Sequence, residues 1–216
     1  MNSLFKDKKV SLRCHLVLAV LVLPYVLLYE KGVSLRFINS HFTPELDIIM
    51  YHITRLPELA YIIFVIILGL FTEKRMFLTI IVAMGISGLL IFLFKHHLFA
   101  DFNRPYFWLN SEKIPFHHVQ GIRLHSNNSF PSGHTMAAFS SLALIGFVSR
   151  SGWTQFGLFL LACVSGYSRV YVAQHYLMDV YAGALIGFAI ALFCYILFHS
   201  MFKTPFWMSP IIQFKS

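Results

Sequence analysis

The chain has 216 residues, of which 57% are hydrophobic and only 12% are charged, and its mean hydropathy is +0.68. This balance excludes an ordinary soluble domain and places the chain, as one domain over residues 1–216, in a lipid bilayer. The formal net charge is +8 at pH 7, yet no long basic tract is present. We therefore expect an anionic bilayer and a phosphorylated lipid substrate as partners, and no nucleic acid.

Six apolar segments are long enough to cross a bilayer, which takes about 20 residues of helix. They cover residues 14–29, 56–72, 76–94, 130–150, 152–166 with a continuation toward 171, and 180–202. Basic residues before the first segment are also typical of a secretory signal, but no small-residue cleavage site follows, so we interpret it as a retained span. The sequence thus predicts an all-α, polytopic membrane protein with six transmembrane helices.

The distribution of positive charge predicts the orientation of these spans. Cytoplasmic termini place nine Lys and Arg residues inside and eight outside, and three of those eight are assigned to chemistry below. This count favours cytoplasmic termini. The connector of residues 31–55 mixes apolar and charged residues, and two interpretations of it stay open, an amphipathic stretch at the membrane interface and a simple link.

Three polar segments lie at the outward ends of spans three to six. They cover residues 95–105, 129–134 and 168–179. A single histidine or arginine at a membrane interface is more often an ordinary polar residue, or one that reaches to the headgroups. Three such clusters on one side of the bilayer are costly, however, and their combination predicts a functional site.

The middle segment predicts an anion site. Pro131 suits the first turn of a helix, because its missing N–H would be unpaired there. The free N–H groups of Ser132 and Gly133 would then point toward water with the positive end of the helix dipole. Ser132 adds a hydroxyl group, and Gly133 lets the backbone approach an oxyanion closely.

The other two segments supply charge and a candidate nucleophile. Lys95, Arg104 and Arg169 come from three different parts of the chain, and together they suit a doubly charged phosphate. His175 and Asp179 are four residues apart, so on a continuous helix they share a face, and the carboxylate fixes the tautomer of the imidazole. His175 is thus the candidate nucleophile, and His134 is available as a general acid.

With these residues identified, the sequence resembles the type 2 phosphatidic acid phosphatase family, which includes bacterial lipid phosphatases and vanadium haloperoxidases. The family motif PSGH appears at residues 131–134, and the motif SR-x5-H-x3-D appears as Ser168, Arg169, His175 and Asp179. The resemblance implies a metal-independent mechanism without a cofactor, a phosphohistidine at His175 oriented by Asp179, and proton donation by His134. It implies phosphate binding by Lys95, Arg104, Ser132, Gly133 and Arg169.

The first family motif, K-x6-RP, is altered in this chain. Lys95 precedes Arg104 and Pro105 by two positions too many, and His97 occupies the usual lysine position. We assign the role to Lys95, because a permanent charge serves phosphate better at neutral pH and a loop can absorb the extra residues.

The segment of residues 105–129 is rich in aromatic and histidine side chains. Covering the site and anchoring at the headgroups are equally compatible with this composition. A metal site made of His117, His118 and His125 is not expected, since adjacent histidines seldom bind one ion together and no carboxylate is spaced with them.

The sequence therefore predicts a lipid phosphatase of the bacterial inner membrane, with its site facing outward. Lipid A and undecaprenyl diphosphate are the favoured substrates, while phosphatidylglycerol phosphate and phosphatidic acid fit the family as well. The alternative is a phospholipid-binding or lipid-transport protein without turnover. The complete second and third motifs argue against that alternative, and the apolar spans argue against a soluble haloperoxidase.

Overall fold

The apolar runs of the sequence fold as helices. A computed structural model describes residues 4–55 and 59–212, and within these ranges it contains no β-strand beyond one isolated bridge between Glu73 and Pro210. The helices are α1 (Lys9–Leu28), α2 (Lys31–Ser40), α3 (Pro44–Thr54), α4 (Leu59–Leu70), α5 (Lys74–Leu93), α6 (Pro105–Ser111), α7 (Gly133–Val148), α8 (Gly152–Tyr171), α9 (Leu177–Met201) and α10 (Pro205–Met208). The all-α prediction is confirmed.

Each of the six predicted spans coincides with one of these helices, namely α1, α4, α5, α7, α8 and α9. The predicted start of the second span at residue 56, and Lys215 from the charge count, lie outside the described residues. We call the end of the bundle where α7 and α9 begin the site end, and the end where α8 begins the opposite end. Lys8 marks the opposite end, where its ammonium group donates to the carbonyl of Ser149 at 3.3 Å.

Among the described residues, three segments have the length and hydropathy to cross a membrane on their own. They are Lys9–Leu28, Lys74–Leu98 and Leu177–Met201, and the apolar helix α7 is shorter. Helix α8 has 20 residues but is less apolar, since it carries Gln155, Ser165 and Arg169. Large apolar side chains such as Leu21 on α1 and Phe193 on α9 are exposed, as expected for faces turned to lipid. The chain is a multi-pass membrane protein, and the count of six crossings stays a prediction.

Helix α7 lies at the centre and packs against α5, α8 and α9. Gly183 and Gly187 on α9 allow the closest approach, because a Cβ at Gly183 would lie 2.5 Å from the carbonyl oxygen of Ser132. Small residues four apart let two helix backbones meet in this way inside a membrane. The start of α9 is therefore held against the start of α7, which brings the second and third polar segments together.

Residues 31–55 fold as helices α2 and α3 over the site end, so they are more than a simple link. Asn39 of α2 donates to the carbonyl of Tyr171 at 3.2 Å, and the Tyr171 hydroxyl donates to Asp47 of α3 at 2.7 Å. Both helices are thereby fixed to the end of α8. Phe37 and Ile48 remain exposed, which fits a location at the membrane interface.

Candidate active site

The three polar segments meet around one cavity at the site end. The cavity has a volume of about 280 Å³. It is lined by Thr54, Arg55, Arg104, Gly121, Ile122, Arg123, His125, His134, Arg169 and Gln174. The described lining residues include four arginines and no carboxylate, so the cavity is suited to an anion.

His175 lies in the turn between α8 and α9 and is 1% exposed. Its Nδ1 atom is 3.4 Å from a carboxylate oxygen of Asp179, but the geometry is not that of a hydrogen bond, and within the described residues this nitrogen has no hydrogen-bond partner. The predicted proximity of the two side chains is therefore present. The two residues do not lie on one continuous helix, because α9 begins only at Leu177.

Asp179 is held in place by the start of α9. One of its carboxylate oxygens accepts from the backbone N–H of Tyr176 at 3.0 Å and from the hydroxyl of Ser129 at 2.5 Å. Tyr176 is the N-cap of α9, so the carboxylate satisfies a backbone donor that the helix leaves without a partner. These two bonds orient the acid toward His175.

The surroundings of His175 keep its imidazole neutral. Burial lowers its pKa well below the ordinary value, and the positive charges of Arg104, Arg169 and Lys95 lower this pKa further. A neutral imidazole keeps a lone pair on one ring nitrogen. The side chain is thus in the state that a nucleophile needs at neutral pH.

Arg104 is anchored on the wall of the cavity. It is 8% exposed, its Nε donates to the carbonyl of Asn127 at 2.9 Å, and one terminal nitrogen donates to the side-chain oxygen of Gln174 at 2.7 Å. Burial lowers the pKa of Arg104, but an arginine starts from so high a value that it stays charged at neutral pH. Arg104 therefore provides a fixed positive charge.

Arg169 in the last turn of α8 is 7% exposed. A terminal nitrogen of its guanidinium group donates to the hydroxyl of Thr54, the last residue of α3, at 2.5 Å. Helix α3 thus orients Arg169. The sequence had identified Arg169 from its motif, without indicating a contact with this helix.

The structure brings Lys95 toward the cluster, and it leaves His97 on the surface. Lys95 is half-buried in a π-helical turn, Phe94–Leu98, closed by a bond from the Phe99 N–H to the Phe94 carbonyl at 2.7 Å. Such a turn holds one residue more than an α-helical turn, which accounts for part of the longer spacing to Arg104. His97 is exposed and packs against the ring of Phe92.

Helix α7 begins later than its sequence suggested. Its first residue is Gly133 and its N-cap is Ser132, whose hydroxyl accepts from the Thr135 hydroxyl at 2.9 Å. Pro131 precedes the cap after a cis peptide bond and is not in the first turn. The Ser132 N–H donates to the carbonyl of Asp179 at 2.9 Å, so it does not point to water as expected.

The start of α7 still presents donors to the cavity side. Among the first-turn amides in the described structure, those of Gly133 and His134 have no backbone acceptor. Gly133 is closely packed, since a Cβ there would lie 3.2 Å from Ile91. The amides without a backbone acceptor therefore begin at Gly133, one residue later than predicted.

The loop of residues 112–132 forms one wall of the cavity through Gly121, Ile122, Arg123 and His125. Of its other histidines, His117 contacts Asp47 at 2.7 Å and His118 contacts the carbonyl of Ile122 at 2.9 Å. Two of the three histidines considered for a metal site, His117 and His118, thus have separate partners. Over residues 4–55 and 59–212 no cluster of three metal-binding side chains occurs.

Three residues of the site were missed from the sequence. Thr54 orients Arg169, Gln174 holds Arg104, and Ser129 binds Asp179. Gln174 lies inside the third motif and Ser129 lies just before the second, so their positions in the sequence could have indicated that they belong to the site. Thr54 is 115 residues from its partner in a connector without a motif, and nothing local pointed to it.

Comparison with known proteins identifies the family of the chain. The family model described as "PAP2 superfamily" matches residues 76–203. Undecaprenyl-diphosphatase BcrC of Bacillus subtilis is 32% identical over 157 residues, which are 70% of this chain and 74% of that protein. The crystal structure of Aquifex aeolicus LpxE has a TM-score of 0.66 and 25% identity, and the match covers 74% of this chain and 92% of that one.

A second solved structure shows the same fold at lower identity. It is the first transmembrane PAP2-type phosphatidylglycerolphosphate phosphatase from Bacillus subtilis, with a TM-score of 0.64 and 22% identity. The match covers 92% of this chain and 98% of that one. Since the family model covers more than half of the sequence, and a relative matches over most of its length, the chain belongs to the PAP2 superfamily.

Proposed function

We propose that the protein is an integral-membrane lipid phosphatase that transfers a phosphoryl group to His175 and then to water. The observation that carries the proposal is the buried, neutral imidazole of His175, which lies among three cations and beside a carboxylate. A protein that only binds phosphate gains nothing from such a nucleophile. This distinguishes the proposal from a lipid-binding protein without turnover.

The three cations Lys95, Arg104 and Arg169 bind the oxygens of the phosphoryl group. Their charge also opposes the negative charge that builds on these oxygens during transfer. The amides of Gly133 and His134 add donors at the positive end of α7. Ser132 acts indirectly, since its hydroxyl caps the helix and its N–H joins it to the start of α9.

In the first step Nε2 of His175 attacks phosphorus, because Nδ1 is the nitrogen that faces Asp179. The bond from Nε2 to phosphorus forms, and the bond from phosphorus to the leaving oxygen breaks. The negative charge of the bound substrate offsets the surrounding cations, so His134 is protonated in the complex and gives its proton to that oxygen. Asp179 stabilises the positive imidazole ring, and Ser129 keeps the carboxylate in position.

In the second step a water molecule attacks the phosphohistidine. His134, now neutral, takes a proton from the water, and phosphate leaves as His175 is regenerated. Every step uses protein side chains and water, so we propose that the reaction needs no metal ion or cofactor.

Undecaprenyl diphosphate is the substrate that we favour over lipid A. The support is that an undecaprenyl-diphosphatase matches this chain over most of the length of both proteins. We further propose six crossings with cytoplasmic termini, so that the site opens on the outer face of a bacterial inner membrane. The charge count supports this orientation.

The test is phosphate release by the detergent-purified protein from undecaprenyl diphosphate, lipid A, phosphatidylglycerol phosphate and phosphatidic acid. We expect the fastest release from the diphosphate. His175→Ala should abolish it, and Asp179→Asn should lower kcat by about 100-fold or more, because an amide cannot stabilise the charged ring as the carboxylate does.

Trapping and inhibition separate the mechanism from its alternatives. Acid-labile, base-stable phosphate on wild-type protein but not on His175→Ala would support the phosphohistidine. Strong inactivation by EDTA that added zinc or magnesium reverses would contradict the metal-free mechanism. Tight lipid binding without any phosphate release would instead establish the non-catalytic protein.

A further inference from the structure

The cavity is lined by two arginines, Arg55 and Arg123, that have no role in the proposed transfer of one phosphoryl group. Arg104 and Arg169 lie deep in it and are nearly buried, while Arg55 and Arg123 line the same cavity and are exposed. The family motifs include only the inner pair. The outer pair, together with His125, forms a second ring of polar groups that we call the outer ring.

Gln174 connects the outer ring directly to the inner cations. Its side-chain oxygen accepts from Arg104 at 2.7 Å, and its side-chain nitrogen donates to the carbonyl of Arg123 at 2.9 Å. The side-chain amide of Gln174 therefore links the guanidinium group of Arg104 to the backbone of Arg123. An anion bound at Arg104 has Arg123 as its neighbour toward the cavity mouth.

Tyr51 of α3 holds the other side of the outer ring. The Arg55 guanidinium group lies over its ring at 5.1 Å and donates to its hydroxyl at 2.5 Å. The loop that carries Arg123 packs on the same ring at Gly121, where an added Cβ would lie 3.0 Å from a ring atom of Tyr51. Gly121 has φ +80°, a conformation that also favours glycine. The two outer arginines thus sit on a common support.

The positive charge around the outer ring acts on His125, whose pKa is lowered first by burial and then by the charges of Arg104 and Arg123. Within the described residues no carboxylate lines the cavity. A phosphate monoester has two negative charges, which the inner cations already match, whereas a diphosphate carries a further phosphate group next to the first.

We infer that the outer ring is a second phosphate subsite, which binds the lipid-attached phosphate of a diphosphate while the terminal phosphate lies at His175. This inference rests on the proposed function. When the bond from the terminal phosphorus to the bridging oxygen breaks, the electron pair and negative charge go to the leaving lipid monophosphate. Arg123 stabilises that charge, so it selects for diphosphates in the transition state as well as in binding.

The experiment compares farnesyl diphosphate with farnesyl monophosphate as short-chain probes in detergent. Arg123→Gln removes the outer cation, and Lys113→Gln on the same exposed loop is the matched control. We expect Arg123→Gln to lower kcat/KM by roughly 10-fold for the diphosphate and by less than about 2-fold for the monophosphate. Lys113→Gln should change neither value by more than about 2-fold. Arg55→Gln should shift the ratio in the same direction as Arg123→Gln.

Turnover of the monophosphate reports whether each variant is folded and its inner site intact. An equal loss with both probes, or no loss with either, would overturn the inference and leave the proposed function standing. Absence of His175-dependent release from both probes by the wild type would refute the proposed function itself.

Inhibition by inorganic anions gives a second measurement, which reports binding to the outer ring without requiring that the bound anion react. We expect inorganic pyrophosphate to inhibit the wild type at a lower concentration than inorganic phosphate. Arg123→Gln should reduce that advantage by roughly the factor seen with the diphosphate probe. An unchanged advantage would count against the outer ring.

Discussion

The two ends of the helix bundle both contain buried polar groups, but they use them differently. At the opposite end, Gln155 is 2% exposed, and its side-chain amide is hydrogen-bonded to backbone groups. Its oxygen accepts from the N–H of Ser11 at 3.1 Å, and its nitrogen donates to the carbonyls of Ser149 and Asp7. This amide joins the start of α1 to the start of α8.

The buried cation at the opposite end has carboxylates near it. Burial and the positive charge of Arg150 lower the pKa of Lys8, while the nearby Asp7 and Glu73 raise it. At the site end Asp179 instead accepts from Ser129 and Tyr176, and within the described residues the cavity is lined by cations and no carboxylate. The cavity at the opposite end is lined by Asp7 and Glu73 as well as by cations. Acids and cations thus occur together at one end, whereas cations predominate at the other.

This difference predicts opposite responses to mutation. Removing a polar group at the opposite end should cost stability and leave catalysis intact. Removing a cation at the site end should cost catalysis and leave stability unchanged or improved, because like charges held together destabilise the free protein.

Among the variants that test this contrast, the largest effect is expected for Lys95→Met, which keeps the length of the side chain and removes its charge. We expect kcat/KM to fall by about 100-fold, since one of three cations at the phosphoryl group is lost. The melting temperature in detergent should stay the same or rise, as Arg104 and Arg169 lose a repelling neighbour.

His97→Met is the matched control for Lys95→Met. His97 is exposed on the same π-helical turn, so its loss should change kcat/KM by less than about 2-fold. If His97→Met instead produced the larger loss of activity, the usual lysine position would be the functional one. The assignment of Lys95 would then be wrong.

Lys95 also shows what could and could not be predicted from the sequence. The motif order, the helical runs and the proximity of His175 to Asp179 follow from local spacing and apolar periodicity, and they were predictable. The π-helical turn depends on how α5 packs at the site end, so the longer spacing of the first motif looked like a loop insertion. The family itself was recognised from residues 131–134 and the SR-x5-H-x3-D motif, which the family model confirms.

The remaining differences come from contacts between distant parts of the chain. The bond from Ser132 to Asp179 depends on the packing of α7 against α9, and the bond from Arg169 to Thr54 depends on a helix in the connector. Neither has a signature in the sequence nearby. Local patterns thus predicted which residues lie together at the site. Tertiary packing determined which of their hydrogen-bond donors are bonded to other parts of the protein.

A smaller effect, on stability alone, is expected for Gln155→Leu at the opposite end. The buried N–H of Ser11 and two carbonyls lose their partner, which should cost about 1–3 kcal/mol of unfolding free energy. Thermal melting in detergent measures the loss, with Thr154→Ala as an exposed control one residue away. Phosphatase activity per folded molecule should stay within about 2-fold of the wild type. A large loss of activity would show that the two ends are coupled.

The smallest effect concerns the pH at which the site loses activity. The folded protein keeps His175 neutral below the ordinary histidine pKa of about 6.5, because burial and the surrounding cations lower the pKa of this imidazole. Protonation removes the lone pair, so kcat/KM should hold as pH falls through 6.5 and decline only at lower pH.

Lys95→Met tests the cause of that low pKa. Without the charge of Lys95, the pKa of His175 should rise toward its ordinary value, and the acid limb of the profile should move to higher pH. The substrate phosphate titrates in the same range, but it does so identically for both proteins, so the difference between the two profiles belongs to the site. A shift to lower pH would mean that Lys95 does not act on His175 as a neighbouring charge, and the contrast between the two ends would then rest on the remaining cations alone.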